Sequence, residues 1–185
     1  MVESFKMLVN KHEYSRKPSE REVAKIVKNL ELQELTPCDI RNRIPSGISF
    51  RPAIFDGDKF VSQQLFYVDV DNVNEIRSVK DNLCLCERLN LVPMLVYKTF
   101  RGNFENQKHR ICFATDEPIT DIKVRNKIQK KLTAIFAGDT AANNEKRLLF
   151  GGNLCYFYGD GISITVNDVN KAYKRYKETM AARLM

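Results

Sequence analysis

Apolar positions recur along the chain with two different periods, which predict a mixture of helices and strands. Spacings of three or four residues, or a capping residue before such a run, indicate helices. These stretches cover residues 20–30, a short segment after residue 36, and residues 74–89, 120–136 and about 167–184. Alternation with period two, or a short apolar run between turn residues, predicts strands at residues 5–9, 48–55, 61–70, 91–98, 109–114, 148–150, 155–158 and 162–165.

Local signals place several of these boundaries. Ser19 and Glu22 have the spacing of a capping box, in which each side chain accepts a hydrogen bond from the backbone of the other. Thr36 followed by Pro37 indicates a second helix start, because proline is tolerated at the first helical position. The sequence Asp-Gly-Asp at residues 56–58 lies between two strand patterns and predicts a hairpin turn.

The composition agrees with one packed domain. The chain has 185 residues, 43% of them hydrophobic, and no internal repeat or long linker divides it. We therefore predict a single domain over residues 1–185. Its apolar runs are far shorter than the roughly 20 residues that cross a bilayer, and residues 1–10 lack the apolar core of a signal peptide. The expected location is the cytoplasm, without a membrane partner.

Charge and cysteine content narrow the chemistry. The formal net charge of +7 favours an anionic partner such as nucleic acid, because basic side chains release the counterions of phosphates. A solvated basic surface is the alternative explanation. The five cysteines include no Cys-x-x-Cys pair, which indicates free thiols rather than a zinc site or a disulfide framework.

The sharpest candidate for chemistry is the strand that ends Tyr67-Val68-Asp69-Val70-Asp71. Alternation places Tyr67, Asp69 and Asp71 on one face, so the two carboxylates project side by side. Paired carboxylates repel each other unless cations compensate them, and Mg²⁺ or Mn²⁺ prefers such oxygen ligands. The alternative is that Asp71 only opens a turn or caps the next helix.

Two later segments supply further candidates. In the segment Gln-Lys-His-Arg of residues 107–110, His109 and Arg110 point to opposite faces of a strand, so they compete for one pocket. A polar loop after the fourth predicted helix contains Asp139, a candidate third metal ligand. Arg147 follows at the entrance of a strand, and its planar guanidinium suits a triphosphate.

Taken in order, these segments resemble the archaeo-eukaryotic primase superfamily, particularly the primase-polymerase domains of replication proteins from Gram-positive phages and mobile elements. The resemblance extends over about residues 20–160. The matching segments are 46–53, 62–72, 97–100, 109–113 and 139–152. It implies an α+β fold, with an RNA-recognition-like palm of mixed or antiparallel strands and an appended α/β module.

The resemblance also implies roles for individual residues. In that superfamily a strand-borne Asp-hydrophobic-Asp and a later acidic residue bind metals, which matches Asp69, Asp71 and Asp139. The histidine of a Ser-x-His motif contacts the nucleotide. Here Gln107 replaces that serine, so the match of His109 departs from the pattern and Arg110 remains its competitor.

The expected function is that of a metal-dependent nucleotidyltransferase, a DNA primase or polymerase that uses two Mg²⁺ or Mn²⁺ ions. Its expected partners are a single-stranded DNA template, nucleoside triphosphates and a replicative helicase. Tyr67 is a candidate sugar-selecting residue, and Tyr97 or Phe100 is a candidate for stacking on a base. The basic loop 98–110 and the lysines of residues 123–131 are candidates for contact with the template backbone. The alternatives are a catalytically weak or inactive nucleic-acid-binding replication-initiator module and a metal-dependent nuclease.

Overall fold

The strands form two β-sheets that pack against each other, and three helices cover the far side of the larger sheet. The computed structural model describes residues 1–72, 76–102 and 106–182. Residues 74–75 of the predicted third helix, 103–105 of the basic loop and 183–184 of the predicted last helix therefore lie outside the described residues.

The elements follow one another in a mixed order. The helices are α1 (Glu20–Lys28), α2 (Pro37–Ser46), α3 (Val79–Leu89), α4 (Ile122–Ile135) and α5 (Val166–Ala182). The strands are β1 (Phe5–Asn10), β2 (Leu30–Leu35), β3 (Ser49–Arg51), β4 (Ala53–Asp56), β5 (Lys59–Val70), β6 (Leu95–Thr99), β7 (His109–Ile119), β8 (Leu149–Phe150), β9 (Gly152–Tyr158) and β10 (Ser163–Ile164). A short 3₁₀ turn, Thr140–Asn143, precedes β8.

The smaller sheet has the order β2-β1-β3-β8, and all of its pairs are antiparallel. The larger sheet has the order β4-β5-β7-β6-β9, also antiparallel, while β10 adds a parallel pair to β7. The predicted α+β class with mixed or antiparallel strands is therefore confirmed.

Strand β5 separates two hydrophobic cores. Leu65 and Tyr67 pack between the two sheets, in a core that also contains residues of β1 and α2. Phe66, Val68 and Val70 pack on the opposite face against α3, α4 and α5. The predicted alternation along this strand is confirmed, and it leaves Asp69 on the face that looks toward the smaller sheet.

Several predicted elements were wrong or incomplete, among them the start of β6, which is Leu95 and not residue 91, and the end of β7, which is Ile119 and not residue 114. The stretch predicted as one strand at residues 48–55 is two strands, because the chain passes from the smaller to the larger sheet at Pro52, which has no N–H to continue a ladder. Strand β2 was not predicted. Helix α3 begins at Val79, where Ser78 and Asp81 form a capping box, and not at residue 74.

The caps predicted for α1 and α2 are confirmed, whereas α5 begins at Val166, before the predicted cap at residue 167 or 168. Ser19 and Glu22 form the capping box of α1, while Thr36 and Asp39 form that of α2, with Pro37 in its first turn. Within residues 1–72, 76–102 and 106–182, no helix is both long and apolar enough to cross a bilayer.

Candidate active site

A cleft opens where the ends of β5, β6 and β7 meet the segment that leads into β8. Its walls come from both sheets, since β8 belongs to the smaller one. A further wall residue comes from the loop between β1 and α1. Among the described residues, the charged side chains that line the cleft are two carboxylates, Asp69 and Asp71, and five cations, Lys17, Arg101, Lys108, Arg110 and Arg147.

The two aspartates reach the cleft from the end of β5. Asp69 is only 5% exposed, whereas the side chain of Asp71, just beyond the strand, is 44% exposed. Neither is needed to cap the next helix, because Ser78 performs that role. The sequence therefore places one carboxylate deep in the cleft and one at its mouth.

Arg110 faces Asp69 because the two residues are direct partners in the antiparallel pairing of β5 and β7. Its Nε donates to Asp69 Oδ1 over 2.5 Å. Its Nη1 donates to the Tyr97 hydroxyl over 2.5 Å and to the Phe150 carbonyl over 3.0 Å. Burial opposes the charge of Arg110, but the nearby Asp69 and Tyr97 outweigh it and raise the pKa of the guanidinium. This side chain is buried, charged and held at both ends.

Lys108 stands beside Asp71 in the same way. It lies two residues before Arg110 on the same face, and its Nζ is 3.7 Å from Asp71 Oδ1. The Lys108 side chain is 24% exposed. Each aspartate therefore has a cationic neighbour from the adjacent polypeptide segment, one buried and one partly exposed.

The remaining cations make the cleft strongly positive. Lys17, Arg101 and Arg147 line it without belonging to these two pairs. The pKa of Lys17 is lowered, first by burial and then by repulsion from Arg101 and Arg147. Such mutual repulsion is relieved when an anion binds among the cations. The cleft thus has the electrostatic character of a polyanion site with two carboxylates at one wall.

His109 points away from this cleft. It is fully buried on the opposite face of β7, where its Nδ1 lies 2.5 Å from the Gln107 carbonyl and its Nε2 lies 2.9 Å from Asn82 Nδ2. A carbonyl only accepts, so the proton is on Nδ1 and Nε2 accepts from Asn82. Burial lowers the pKa of His109. Of the two predicted alternatives, Arg110 lines the cleft and His109 does not.

Asp139 is close to Asp69 through its backbone. Beyond Gln63, where its pairing with β4 ends, the outer edge of β5 is completed by other groups. The Gln129 side chain donates to the Tyr67 carbonyl over 2.5 Å, and the Asp139 N–H donates to the Asp69 carbonyl over 2.8 Å. This bond holds the chain of Asp139 beside the strand that bears the aspartates.

The Asp139 carboxylate itself binds the backbone of the turn that follows it. Its Oδ1 accepts from the Ala141 N–H over 2.9 Å and caps the 3₁₀ turn. It is not among the residues that line the cleft. Within the part of the chain that the structure describes, no three His, Cys, Asp or Glu side chains are grouped to hold a metal ion. Asp69 and Asp71 are brought together, and a role of Asp139 stays a prediction.

The aromatic candidates divide between packing and the cleft. Tyr67 is buried behind Asp69, and its pKa is raised by burial and by that aspartate. Tyr97 is fully buried and its hydroxyl donates to the Phe150 carbonyl over 2.9 Å, so the suggestion that it stacks on a base was wrong. Phe100 lines the cleft.

The two aspartates suit a divalent metal by the chemistry of their donor atoms. Both present carboxylate oxygens, the ligands that Mg²⁺ and Mn²⁺ prefer, at adjacent positions of one strand end. Two carboxylates plus the oxygens of a substrate phosphate are a common way to hold Mg²⁺ in enzymes that act on nucleotides. Asp69 and Asp71 therefore fit a metal that is shared with a phosphate ligand.

Lys17 was not predicted as a site residue, and Arg101 and Lys108 were predicted only as part of the basic loop 98–110. Each is one of 30 basic residues, and no local pattern distinguishes it from a surface charge. The spacing of two between Lys108 and Arg110, which mirrors the spacing of the aspartates, was the one available signal. It becomes informative only when the pairing of β5 with β7 is known.

Comparison with solved structures identifies the fold. The chain superposes on the primase-polymerase domain of cyanophage S-2L, an archaeo-eukaryotic primase domain, with a TM-score of 0.51 and 10% identity, covering 93% of this chain and 89% of that one. A second match is to primase RepB′, with a TM-score of 0.49 and 12% identity, covering 98% of this chain and 60% of that one. No protein-family model and no curated protein matches the sequence. The chain has the archaeo-eukaryotic primase fold.

Proposed function

We propose that this chain is a metal-dependent nucleotidyltransferase that starts or extends a strand on a single-stranded DNA template. The observation that supports it is the cleft itself. Two carboxylates lie at one wall of a cavity whose described charged residues are five cations and these two acids, on a fold shared with a primase-polymerase domain. A metal–triphosphate complex combines the same two requirements, oxygen ligands for the metal and cations for the phosphates.

Each wall of the cleft has its own task in this proposal. Asp69 and Asp71 hold two Mg²⁺ or Mn²⁺ ions, which when bound would activate the primer hydroxyl and stabilise the leaving pyrophosphate. Arg147, Arg101 and Lys17 bind the triphosphate oxygens. The planar guanidinium of Arg147 can donate two parallel hydrogen bonds, so it orients a phosphate as well as attracting it.

Arg110 and Asp139 support the deeper aspartate. Arg110 orients Asp69 through its short Nε bond and is itself positioned by Tyr97 and Phe150. Asp139 is proposed as the third acidic residue, because its N–H is bonded to the Asp69 carbonyl. To take this role its carboxylate must leave the Ala141 N–H.

The biological setting follows as part of the same proposal. A chain that makes or extends strands on single-stranded DNA would act in the replication of a phage, plasmid or mobile element. A replicative helicase would then be a partner, because it produces the single strand that the cleft copies.

A primer-synthesis and primer-extension assay tests the activity, with a single-stranded template, labelled triphosphates and Mn²⁺ or Mg²⁺. We expect Asp71→Asn to lower the rate by about a hundredfold or more, because the metal ligand is lost. Asp71 is the cleaner position, since Asp69→Asn also leaves Arg110 as an unpaired buried charge, which costs roughly 3–5 kcal/mol of stability. Asp69→Asn is therefore assayed together with its unfolding midpoint.

The matched control is Asp116→Asn, which removes an exposed carboxylate of β7 outside the cleft. It should leave the rate unchanged. Equal activity in the wild type and in both cleft variants would refute the proposed site.

The same protein variants and assays distinguish two alternative functions. The ion pairs that already compensate both aspartates favour a module that binds nucleic acid without catalysis. Template binding without any nucleotide incorporation would establish that function. Metal-dependent degradation of DNA, without affinity for triphosphates, would establish a nuclease instead.

A further inference from the structure

The cleft contains two acid–base pairs, Asp69 with Arg110 and Asp71 with Lys108. Asp69 lies at the end of β5 and Asp71 just after it, while Arg110 lies at the start of β7 and Lys108 just before it. The antiparallel register sets Asp69 against Arg110, which leaves Lys108 next to Asp71. The negative charge of the pair is therefore balanced by side chains of the protein itself.

The two cations differ in how firmly they are held. Arg110 has a buried side chain with bonds to Asp69, Tyr97 and Phe150. Lys108 has one described charged partner, Asp71, at a distance of 3.7 Å, and its side chain is partly exposed. A flexible ammonium group at that distance in partial contact with water exchanges partners at low cost.

The backbone of Lys108 is fixed, so movement is confined to the side chain. Its carbonyl accepts from the Thr99 N–H over 3.1 Å, and its N–H donates to the Asn106 carbonyl over 2.8 Å. The Lys108 side chain can rotate away from Asp71 within the cleft while the strand start stays in place. Anions bound near Arg101 and Arg147 would attract it in that direction.

We propose that Lys108 is an exchangeable counter-cation of Asp71 that couples nucleotide binding to metal binding. Without a nucleotide its ammonium group stays near Asp71 and weakens the attraction of that carboxylate for a divalent cation. When a triphosphate binds, the ammonium group pairs with its phosphates in place of Asp71, and the Asp71 carboxylate is then free to bind the metal. This inference rests on the proposed function, since it assigns the metal to Asp71 and the triphosphate to the same cleft.

By linkage, the coupling is reciprocal. A metal that binds more tightly in the presence of nucleotide must strengthen nucleotide binding by the same factor. Arg110 has no such exchange, because its other hydrogen bonds hold it against Asp69. Lys108 is thus the side chain whose removal should change the coupling without disturbing the buried pair.

The proposed coupling can be tested without catalysis by measuring Mn²⁺ binding, with electron paramagnetic resonance to quantify the free ion. It is measured alone and with a triphosphate analogue that has a non-cleavable α,β bond. In the wild type the analogue should tighten Mn²⁺ binding by about tenfold beyond the effect of direct ligation by phosphate, the size expected when a unit charge about 4 Å away is removed in a largely aqueous site. Lys108→Gln should bind Mn²⁺ alone about tenfold more tightly and show a coupling about tenfold smaller, while the coupling that arises from direct ligation of the metal by phosphate remains.

Two further variants isolate the cause. Lys108→Arg keeps the charge and should keep the coupling. Lys174→Gln removes a lysine that stands 4.0 Å from the exposed Glu178 on α5, and it should behave as the wild type. The proposal is overturned if Lys108→Gln binds Mn²⁺ no more tightly than the wild type, or if Lys174→Gln gives the same gain.

A last variant separates this inference from the proposed function. If Asp71→Asn binds Mn²⁺ as well as the wild type does, Asp71 is not a metal ligand, and both the proposed site and the coupling fail. If Asp71→Asn loses Mn²⁺ binding but Lys108→Gln leaves the coupling intact, the metal site stands and the role of Lys108 alone is refuted.

Discussion

At the scale of single residues, His109 and Arg110 are neighbours on β7 that strand alternation places on opposite faces, where they have different roles. Arg110 faces the cleft and compensates Asp69, while His109 faces the helices and is bonded to Asn82 and Gln107. Both are buried, but one is kept charged by a carboxylate and the other is kept neutral by burial. The same strand therefore supplies a site residue and a core residue at consecutive positions.

The neutral state of His109 predicts a dependence of stability on pH. Its pKa is lowered in the folded protein, so below the ordinary histidine pKa of about 6.5 the unfolded chain binds a proton that the folded chain refuses. Stability should therefore be full above that pH and fall as the pH drops below 6.5, by at most about 1 kcal/mol between pH 6.5 and 5.5. Urea unfolding over pH 5.5–7.5 measures this.

The comparison variants are His109→Gln and His12→Gln. His109→Gln should be less stable throughout but should lose the slope in this window. His12 is exposed, and its variant should keep the slope of the wild type. A slope that persists in His109→Gln, or that disappears in His12→Gln, would contradict the assignment.

At the scale of elements, the end of α2 anchors the loop that brings Lys17 to the cleft. Gly47 is the C-cap of α2, has a φ of 89°, and its carbonyl accepts from the Tyr14 N–H over 3.0 Å. Arg43 of the same helix pairs with Glu13 over 2.9 Å. Because a Cβ at Gly47 would lie 1.7 Å from the Tyr14 carbonyl oxygen, the loop can dock this closely only on a glycine.

Two glycine substitutions test this docking. Gly47→Ala should lower the free energy of unfolding by about 3 kcal/mol or more, because it adds a backbone clash to the strain of positive φ. Gly57 also has a positive φ, 57°, but an added Cβ there would have nothing within 4 Å. Gly57→Ala should therefore lower the free energy of unfolding by only about 1 kcal/mol. Chemical denaturation compares the two, and equal losses would show that the contact with Tyr14 is unimportant.

At the scale of the whole molecule, the cleft exists because two sheets meet. The larger sheet supplies the aspartates and their cationic partners, while Arg147 leads into β8 of the smaller sheet and Lys17 follows β1 of the same sheet. The core between the sheets contains residues from both. The smaller sheet is therefore part of the proposed nucleotide site and does more than support the larger one.

Lys17 gives a test of that contribution. Lys17→Gln should weaken binding of the triphosphate analogue by about tenfold, the usual value of one charged hydrogen bond, with little change in the unfolding midpoint. Fluorescence titration with a labelled analogue measures the affinity. Lys11→Gln, in the same loop and paired with the exposed Glu31, should bind as the wild type does. Unchanged affinity in Lys17→Gln would exclude the loop from the site.

The sequence by itself determined what depends on neighbours along the chain. Alternation in β5 placed Asp69 with Tyr67 and opposite Val68, and the capping pairs placed the starts of α1 and α2, because these effects act over a few residues. It predicted Arg147 as a candidate, and the resemblance predicted the fold that the structural comparison shows. Local chemistry was sufficient for the alternation and the caps, whereas the fold was predicted from the resemblance.

Only the tertiary structure decided which charges meet. The choice of Arg110 over His109 depends on the register of β5 with β7, and a shift of one residue would have reversed it. The division of one predicted strand at Pro52, and the arrival of Lys17 from another sheet, depend on how the sheets pack. These contacts join residues far apart in the chain, and their energies become effective only when the chain has closed around them, so no local pattern encodes them.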